Sequence, residues 1–128
     1  MKLAAFPPQL ESRFIERLHG VSFPTFGHYL ESGFCDSGIQ KICGVGRVVG
    51  QAIPIRLTPQ DSTLLHHAVS QLREHDVLVI DMGGDSRHAP VGLVVATAAK
   101  IRKSAGIIVD GVVTDVDEVS QLGIPVFA

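Results

Sequence analysis

The stretch that decides the fold is Val77–Glu118, VLVIDMGGDSRHAPVGLVVATAAKIRKSAGIIVDGVVTDVDE. It opens with a short apolar run, 77–81, which is typical of a fully buried strand. A glycine-rich, polar loop, 82–92, precedes a run with apolar residues on most sides, 93–104, which favours a buried helix. A second apolar run, 106–110, predicts another buried strand. Together these segments predict a βαβ crossover in which two acidic strand ends face the mouth of one glycine-rich loop.

The segments before this unit predict helices first and strands second. Amphipathic spacing predicts a helix over 9–19 that ends at Gly20, followed by a shorter helix over 25–32. From 42 to 57 the pattern changes to strands, and the alternation over 53–57 is that of a half-buried strand. Pro54 has no N–H to donate to a ladder, so we expect its strand to lie at a sheet edge or to have an unpaired stretch.

The rest of the chain completes a single α/β domain over 1–128, with a helical N-terminal segment, 1–41, and an α/β core, 42–128. One apolar helical face precedes the central unit, and a short helical turn over 116–122 follows it. The closing residues, 123–128, read as a strand. This strand either pairs into the sheet, or the sequence has lost a C-terminal portion.

Composition excludes several classes of protein. With 128 residues, 45% of them hydrophobic and 19% charged, the chain is that of one packed globular domain. A net charge of −2 without a basic block argues against a general nucleic-acid binder. No apolar run reaches the roughly 18 residues of a membrane span, and Pro7-Pro8 interrupts the only apolar patch at the N-terminus. We therefore expect a cytoplasmic protein in which Cys35 and Cys43 are free thiols.

The glycine-rich loop is a candidate site for an anion. Because it leads into a helix, backbone N–H groups near Gly92, Leu93 and Val94 have no intrahelical partner. With the helix dipole, these groups favour binding of a carboxylate or phosphate.

Acidic residues follow the next strand and suggest a cation beside that anion. Asp110 ends the strand, and Asp115, Asp117 and Glu118 come shortly after it. Carboxylates with water are the usual ligands of Mg²⁺ or Mn²⁺, which can polarise the carbonyl of an α-keto acid and stabilise an enolate. The other interpretation makes the glycines turn formers and the aspartates helix caps and solvated strand ends. The residues alone leave both interpretations open.

Several of these segments resemble the RraA-like family, which includes the regulator of ribonuclease activity A and the 4-hydroxy-4-methyl-2-oxoglutarate / 4-carboxy-4-hydroxy-2-oxoadipate aldolases. The resemblance is clearest over 76–128, and it is weaker but colinear from about residue 42. Its segments are the first strand with its loop, VGLVVATAAK, GIIVDGVVTD and GIPVFA. It implies a swivelling β/β/α domain with a mixed sheet and flanking helices, assembled as a trimer or hexamer with sites between subunits. A mean hydropathy of +0.28 also favours an oligomer.

In the aldolase branch of that family the turn reads DG-x-x-Arg-Asp-x-x-Glu/Asp, in which the Arg binds the pyruvate carboxylate and the Asp holds the metal. Asp110, Gly111, Asp115 and Glu118 match the pattern, whereas Thr114 occupies the position of the Arg. The resemblance implies Asp115 as the anchor of Mg²⁺ or Mn²⁺, with Glu118 and Asp110 in support.

The loop departs from the family as well. Leu93 stands where an acidic residue often follows the loop glycine, while the backbone of Gly92, Leu93 and Val94 is expected to bind the substrate carboxylate. Arg87 and Arg102 are candidates to replace the charge missing at the Thr114 position.

Two functions follow from the resemblance. The first is a divalent-metal and α-keto-acid site that cleaves an aldol to pyruvate or decarboxylates oxaloacetate. The second is a non-catalytic regulator that binds a protein such as a ribonuclease. Thr114 favours the regulator, whereas Asp115 and Glu118 favour the enzyme.

Overall fold

The computed structural model describes residues 4–58 and 61–128. Helices and strands follow one another along the chain as α1 (Ser12–His19), α2 (Phe23–Gly27), β1 (Lys41–Cys43), β2 (Gln51–Arg56), α3 (Thr63–Gln71), β3 (Asp76–Asp81), α4 (Leu93–Ile101), β4 (Gly106–Asp110), α5 (Val116–Leu122) and β5 (Val126–Phe127). The predicted crossover is confirmed, since β3, α4 and β4 follow one another and β3 pairs in parallel with β4.

Five strands form one mixed sheet in the order β1-β5-β4-β3-β2. The four strands from β2 to β5 are parallel, and β1 pairs antiparallel with β5. The closing strand therefore pairs into the sheet between β4 and β1, as the first of the two interpretations expected. The α/β class and the mixed sheet with flanking helices are confirmed.

The prediction of an edge strand at Pro54 is also confirmed, because β2 ends the sheet. The N–H groups of Gln51 and Leu57 donate to the His75 and Asp81 carbonyls, so odd-numbered residues of β2 face β3. Pro54 therefore lies on the outward side, where its missing N–H removes a donor from the free edge. An edge with fewer donors is a poorer template for pairing with another chain.

The hydrophobic core lies between the sheet and the layer formed by α3, α4 and α5. Leu78, Ile80, Ile107 and Val109 of the central strands are fully buried there. The prediction that these strands are buried on both faces is corrected: Val79 and Ile108, like Phe127 of β5, are only half-buried and line a cleft of about 780 Å³ under α1 and α2. The N-terminal helices cover the second face incompletely.

Three helices differ from prediction in their bounds, the first because α1 begins at Ser12 instead of residue 9. The second helix spans Phe23–Gly27 rather than 25–32, since Pro24 suits the first turn of a helix. Helix α4 ends at Ile101 instead of continuing to Ser104 because Lys103 adopts a left-handed conformation. The Ser104 and Lys103 N–H groups then donate to the Ala99 and Lys100 carbonyls, which is a Schellman ending built without glycine.

Helix α4 is buried on one side only, which corrects its description as a buried helix. Val95, Ala96 and Ala99 face the core, whereas Val94 and Ile101 are 74% and 75% exposed. The apolar residues on the outer side of α4 therefore have no partner within the described part of the chain.

Both cysteines are free thiols, as expected: Cys35 is exposed and Cys43 is buried. Across the two described ranges, no helix combines the length and apolar character needed to cross a membrane.

Candidate functional site

The two acidic strand ends are neighbours, because Asp81 of β3 is in register with Asp110 of β4. Their surroundings differ. The Asp81 carboxylate accepts hydrogen bonds from the Arg56 guanidinium at 2.7 Å and from the Gly83 N–H at 2.7 Å. These bonds, with that to Arg56 the larger cause, lower the pKa of Asp81 from its ordinary value. Asp110 is exposed at the end of β4.

The low pKa of Asp81 predicts a loss of stability in acid. A carboxyl group whose pKa is lower in the folded state stabilises the protein above its ordinary pKa of about 3.9, and this contribution disappears as the pH falls through the lowered value. We therefore expect Asp81→Asn to lower the free energy of unfolding at pH 7 and to have a smaller effect at pH 3. Urea unfolding of both proteins at each pH measures the change in the free energy of unfolding. An equal change at pH 7 and pH 3 would contradict the stabilising contact between the Asp81 carboxylate and Arg56.

Asp115 is where the two helices nearest the loop meet. Asp115 is the N-cap of α5 and adopts a left-handed conformation with a φ of 55°, which Asp tolerates better than most residues. One carboxylate oxygen accepts the Leu93 N–H at the start of α4, at 3.0 Å, and the other accepts the Thr114 hydroxyl at 3.2 Å. The Asp115 side chain therefore connects the N-termini of α4 and α5.

This junction requires a glycine at position 92 because there is no room for a side chain. A β-carbon at Gly92 would lie 2.6 Å from an Asp115 carboxylate oxygen and 2.8 Å from the Thr114 methyl carbon. The Thr114 N–H donates to the Val91 carbonyl at 3.0 Å, within a parallel bridge between Val91 and Val113. The end of the glycine-rich loop and the acidic turn, which we define as residues 114–118, are thus held together along residues 91–93.

The predicted backbone donors have different environments. The Leu93 N–H is occupied by Asp115, so in this structure it serves the protein instead of a ligand. The N–H groups of Gly92 and Val94 make no hydrogen bond within the described residues. Of the three donors predicted for a substrate carboxylate, Gly92 and Val94 are available.

The three acidic residues predicted for metal binding do not form one compact cluster. Across 4–58 and 61–128, no group of three or more His, Cys, Asp or Glu side chains is arranged to hold a metal ion. Asp115 and Glu118 are both exposed around the start of α5, and Asp110 is exposed at the end of β4. Mg²⁺ commonly binds through one or two carboxylates and keeps several waters, so Asp115 fits that mode as a single protein ligand.

Sequence reasoning missed a carboxylate within the loop, that of Asp85, whose side chain is only 7% exposed. Asp85 accepts the Arg87 N–H at 2.8 Å and contacts His88 Nδ1 at 2.6 Å. The Arg87 N–H, as the larger cause, and His88 together lower the pKa of Asp85. The signal was present as an Asp and a His three residues apart in a loop beside the candidate site.

The two arginines considered as substitutes for the missing charge lie in different places. Arg87 is on the loop with 85% of its side chain exposed, and its Nε is 3.9 Å from the Asp85 carboxylate. Arg102 donates to the Leu72 carbonyl at the C-terminal end of α4. A nine-residue helix is about 13 Å long, so Arg102 is too far from the start of α4 to serve there.

The candidate site lies outside two clefts of the described chain. The clefts of about 780 and 840 Å³ lie under α1 and α2 and beside β2, and neither is lined by Gly92, Thr114 or Asp115.

This arrangement defines an α/β domain in which a glycine-rich loop and an acidic turn meet at the ends of parallel strands. The chain belongs to the RraA-like family, because the family model described as Aldolase/RraA matches residues 22–128. The predicted resemblance is confirmed. A curated relative from Burkholderia mallei, provisionally named a 4-hydroxy-4-methyl-2-oxoglutarate aldolase, is 38% identical over 85 residues, which are 66% of this chain and 51% of that protein. The chain spans about half the length of the curated relatives it matches.

Solved structures support the same fold. RraAS2 from Streptomyces coelicolor, described as an unusual member of the RNase ES inhibitor RraA family, aligns with a TM-score of 0.82 and 25% identity over 94% of this chain and 63% of that one. The RNA-processing inhibitor RraA from Thermus thermophilis aligns with a TM-score of 0.73 and 26% identity over 82% and 63%.

Proposed function

We propose that the junction around Asp115 binds a small α-keto acid together with Mg²⁺ or Mn²⁺, and that its activity is aldol cleavage to pyruvate or decarboxylation of oxaloacetate. One observation carries this proposal: an exposed Asp115 carboxylate is held at the start of α4 by the Leu93 N–H, next to the N–H groups of Gly92 and Val94, which have no hydrogen-bond partner among residues 4–58 and 61–128. The provisional aldolase name of the Burkholderia mallei relative supports the same class of reaction.

Electrostatics gives the reason for a cation. Two carboxylates that share one site repel each other unless a positive charge lies between them. In the aldolase pattern part of that charge comes from an arginine, but Thr114 is neutral. Asp115 accepts hydrogen bonds from Leu93 and Thr114, and these hold its carboxylate in a fixed orientation for a cation.

In this proposal the chain's residues bind and orient, and the ion supplies Lewis-acid polarisation of the keto oxygen when it is bound. Asp115 would anchor the ion with Glu118 and Asp110 in support, and the Gly92 and Val94 N–H groups would bind the substrate carboxylate. The exposed apolar side chains of Val94 and Ile101 support a homotrimer or hexamer in which a neighbouring subunit closes the site.

A non-catalytic regulator is the second candidate. The neutral Thr114 lacks the charge that would bind a substrate carboxylate, and the two RraA proteins named above are described as an RNA-processing inhibitor and as a member of a ribonuclease-inhibitor family. This alternative expects a protein partner such as a ribonuclease and no dependence on metal.

Thr114→Arg tests whether the missing charge limits the activity. A guanidinium at this exposed position can bind a carboxylate through two hydrogen bonds, which a hydroxyl cannot match. We expect kcat/KM for oxaloacetate to rise on the order of 10²-fold, which corresponds to roughly 3 kcal/mol. Thr114→Gln adds length without charge and is the matched control. Equal rates for the two variants would contradict the role assigned to this position.

Gly92→Ala tests the junction itself. The added methyl would meet the Asp115 carboxylate at 2.6 Å, so this side chain must move. We expect the affinity for Mn²⁺ to fall by about tenfold or more, with a stability loss of about 1–3 kcal/mol from overpacking. Gly27→Ala is the control because a β-carbon there meets nothing within 4 Å. Unchanged Mn²⁺ affinity in Gly92→Ala would show that the junction takes no part in metal binding.

The binding half of the proposal is tested by titrating Mn²⁺ and following its electron paramagnetic resonance signal, with and without oxalate, a planar dianion that resembles the pyruvate enolate. We expect oxalate to tighten Mn²⁺ binding, because the ion would lie between two carboxylates. Mn²⁺ binding that is absent, or that is unaffected by oxalate, would favour the regulator.

A further inference from the structure

Within the loop, the His88 imidazole is in contact with the Asp85 carboxylate. The Asp85 side chain is 7% exposed, and the imidazole of His88 is 49% exposed. A carboxylate can only accept hydrogen bonds, so the 2.6 Å contact assigns the Nδ1 proton to His88 and leaves Nε2 free. Asp85 is itself fixed by the Arg87 N–H at 2.8 Å. A carboxylate that orients an exposed imidazole is a common arrangement for a general acid or base.

The loop holds this pair beside the acidic turn. Before His88 in the sequence, Asp85 lies close to the end of β4: a β-carbon built on Gly111 would be 3.5 Å from the Asp85 carbonyl oxygen. After His88 in the sequence, Val91 forms a parallel β-bridge with Val113. His88 is three residues from each of these contacts, so its Cα lies within about 11 Å of both. The His88 backbone therefore lies near both the end of β4 and the start of α4.

We propose that His88 is the proton donor and acceptor at C3 of the pyruvate unit, with Asp85 as its positioning residue; this inference rests on the proposed function. In oxaloacetate decarboxylation the C3–C4 bond breaks, C4 leaves as CO₂, and the electron pair forms the C2=C3 bond of the enolate. A proton from Nε2 of the His88 imidazolium then forms the new C3–H bond and restores the keto group. In reverse, neutral Nε2 removes a proton from the methyl group of pyruvate.

The reverse step gives a direct assay. Proton nuclear magnetic resonance in D₂O with Mg²⁺ follows the loss of the pyruvate methyl signal as deuterium replaces hydrogen. For His88→Ala we expect this exchange to slow by about 10²-fold. Pyruvate release from oxaloacetate should slow by less, about tenfold or under, because loss of CO₂ needs no proton donor and water can protonate the enolate. Asp85→Asn, which keeps an acceptor for the Arg87 N–H, should slow exchange more than release in the same way.

Added imidazole separates a chemical role from a structural one. It should restore exchange in His88→Ala, since truncation of an exposed side chain leaves room for it. His66→Ala, at an exposed position on α3, is the control and should exchange at the wild-type rate. Equal exchange in His88→Ala and wild type, or slow exchange that imidazole does not restore, would overturn the proposed role of His88. Either result would leave the proposed function of the Asp115 site in place. A wild-type protein with neither exchange nor pyruvate release overturns the proposed function and this inference with it.

Discussion

Replacing Asp115 by Asn is expected to abolish metal-dependent pyruvate release. Asn keeps the size of the side chain, can adopt the left-handed conformation of the N-cap, and still accepts the Leu93 N–H. It removes the negative charge that would hold the cation. If the ion supplies most of the polarisation of the keto group, the rate should fall by about 10³-fold or more. Coupled detection of pyruvate, with Mg²⁺ at several concentrations, measures the effect.

Asp117→Asn is the matched control for this variant, because it removes the same charge from the exposed first turn of α5. Its rate should stay within about twofold of the wild type, since exposed charges away from the ion contribute little. Retained activity in Asp115→Asn, or an equal loss in both variants, would contradict Asp115 as the anchor of the metal.

The largest effect on stability is expected at Asp76. Its side chain is fully buried and accepts three hydrogen bonds from Arg73: the backbone N–H at 2.8 Å, Nε at 3.0 Å and Nη2 at 3.3 Å. The same guanidinium donates to the Pro7 carbonyl at 3.0 Å and stacks on Phe6, so the pair fastens the N-terminal segment to the start of β3. Asp76→Asn leaves a half-buried guanidinium without its carboxylate, at a cost of roughly 3 kcal/mol.

Urea unfolding measures this cost as a shift of the midpoint. Glu74→Gln is the control, because the Glu74 carboxylate pairs with Lys103 at 3.5 Å on the surface, where such pairs contribute about 0–1 kcal/mol. A midpoint shift in Asp76→Asn no greater than that in Glu74→Gln would show that the Arg73 pair is not a main support of the fold.

Much of the fold could be predicted from the sequence because its strands are short apolar runs with clear ends. The strand over 106–110 and the helical turn over 116–122 have the predicted bounds, and Pro54 correctly marked an edge strand. The end of α4 could not be predicted, because its left-handed position is held by Lys103 instead of glycine. The half-covered second face of the sheet also escaped prediction, since an apolar run does not show how many of its faces are packed.

The proximity of the glycine-rich loop to the turn after β4 was predictable, but the contacts between them were not. The pattern brought Gly92, Asp110 and Asp115 to one region, but it could not show that the Leu93 N–H is taken by Asp115. That bond depends on two segments 22 residues apart, and it exists because Gly92 lets the carboxylate approach. The Asp85 and His88 pair was missed because local spacing in a loop does not reveal that the Asp85 side chain is only 7% exposed.

The most direct test of the Asp115 site is pyruvate release from oxaloacetate by the purified chain, with Mg²⁺ or Mn²⁺ and then with a chelator. The account predicts turnover above the metal-catalysed background, its removal by the chelator and its return when the ion is added back. No turnover in the wild type, with Thr114→Arg also inactive, would contradict a metal and α-keto-acid site and leave the protein-binding regulator as the function to pursue.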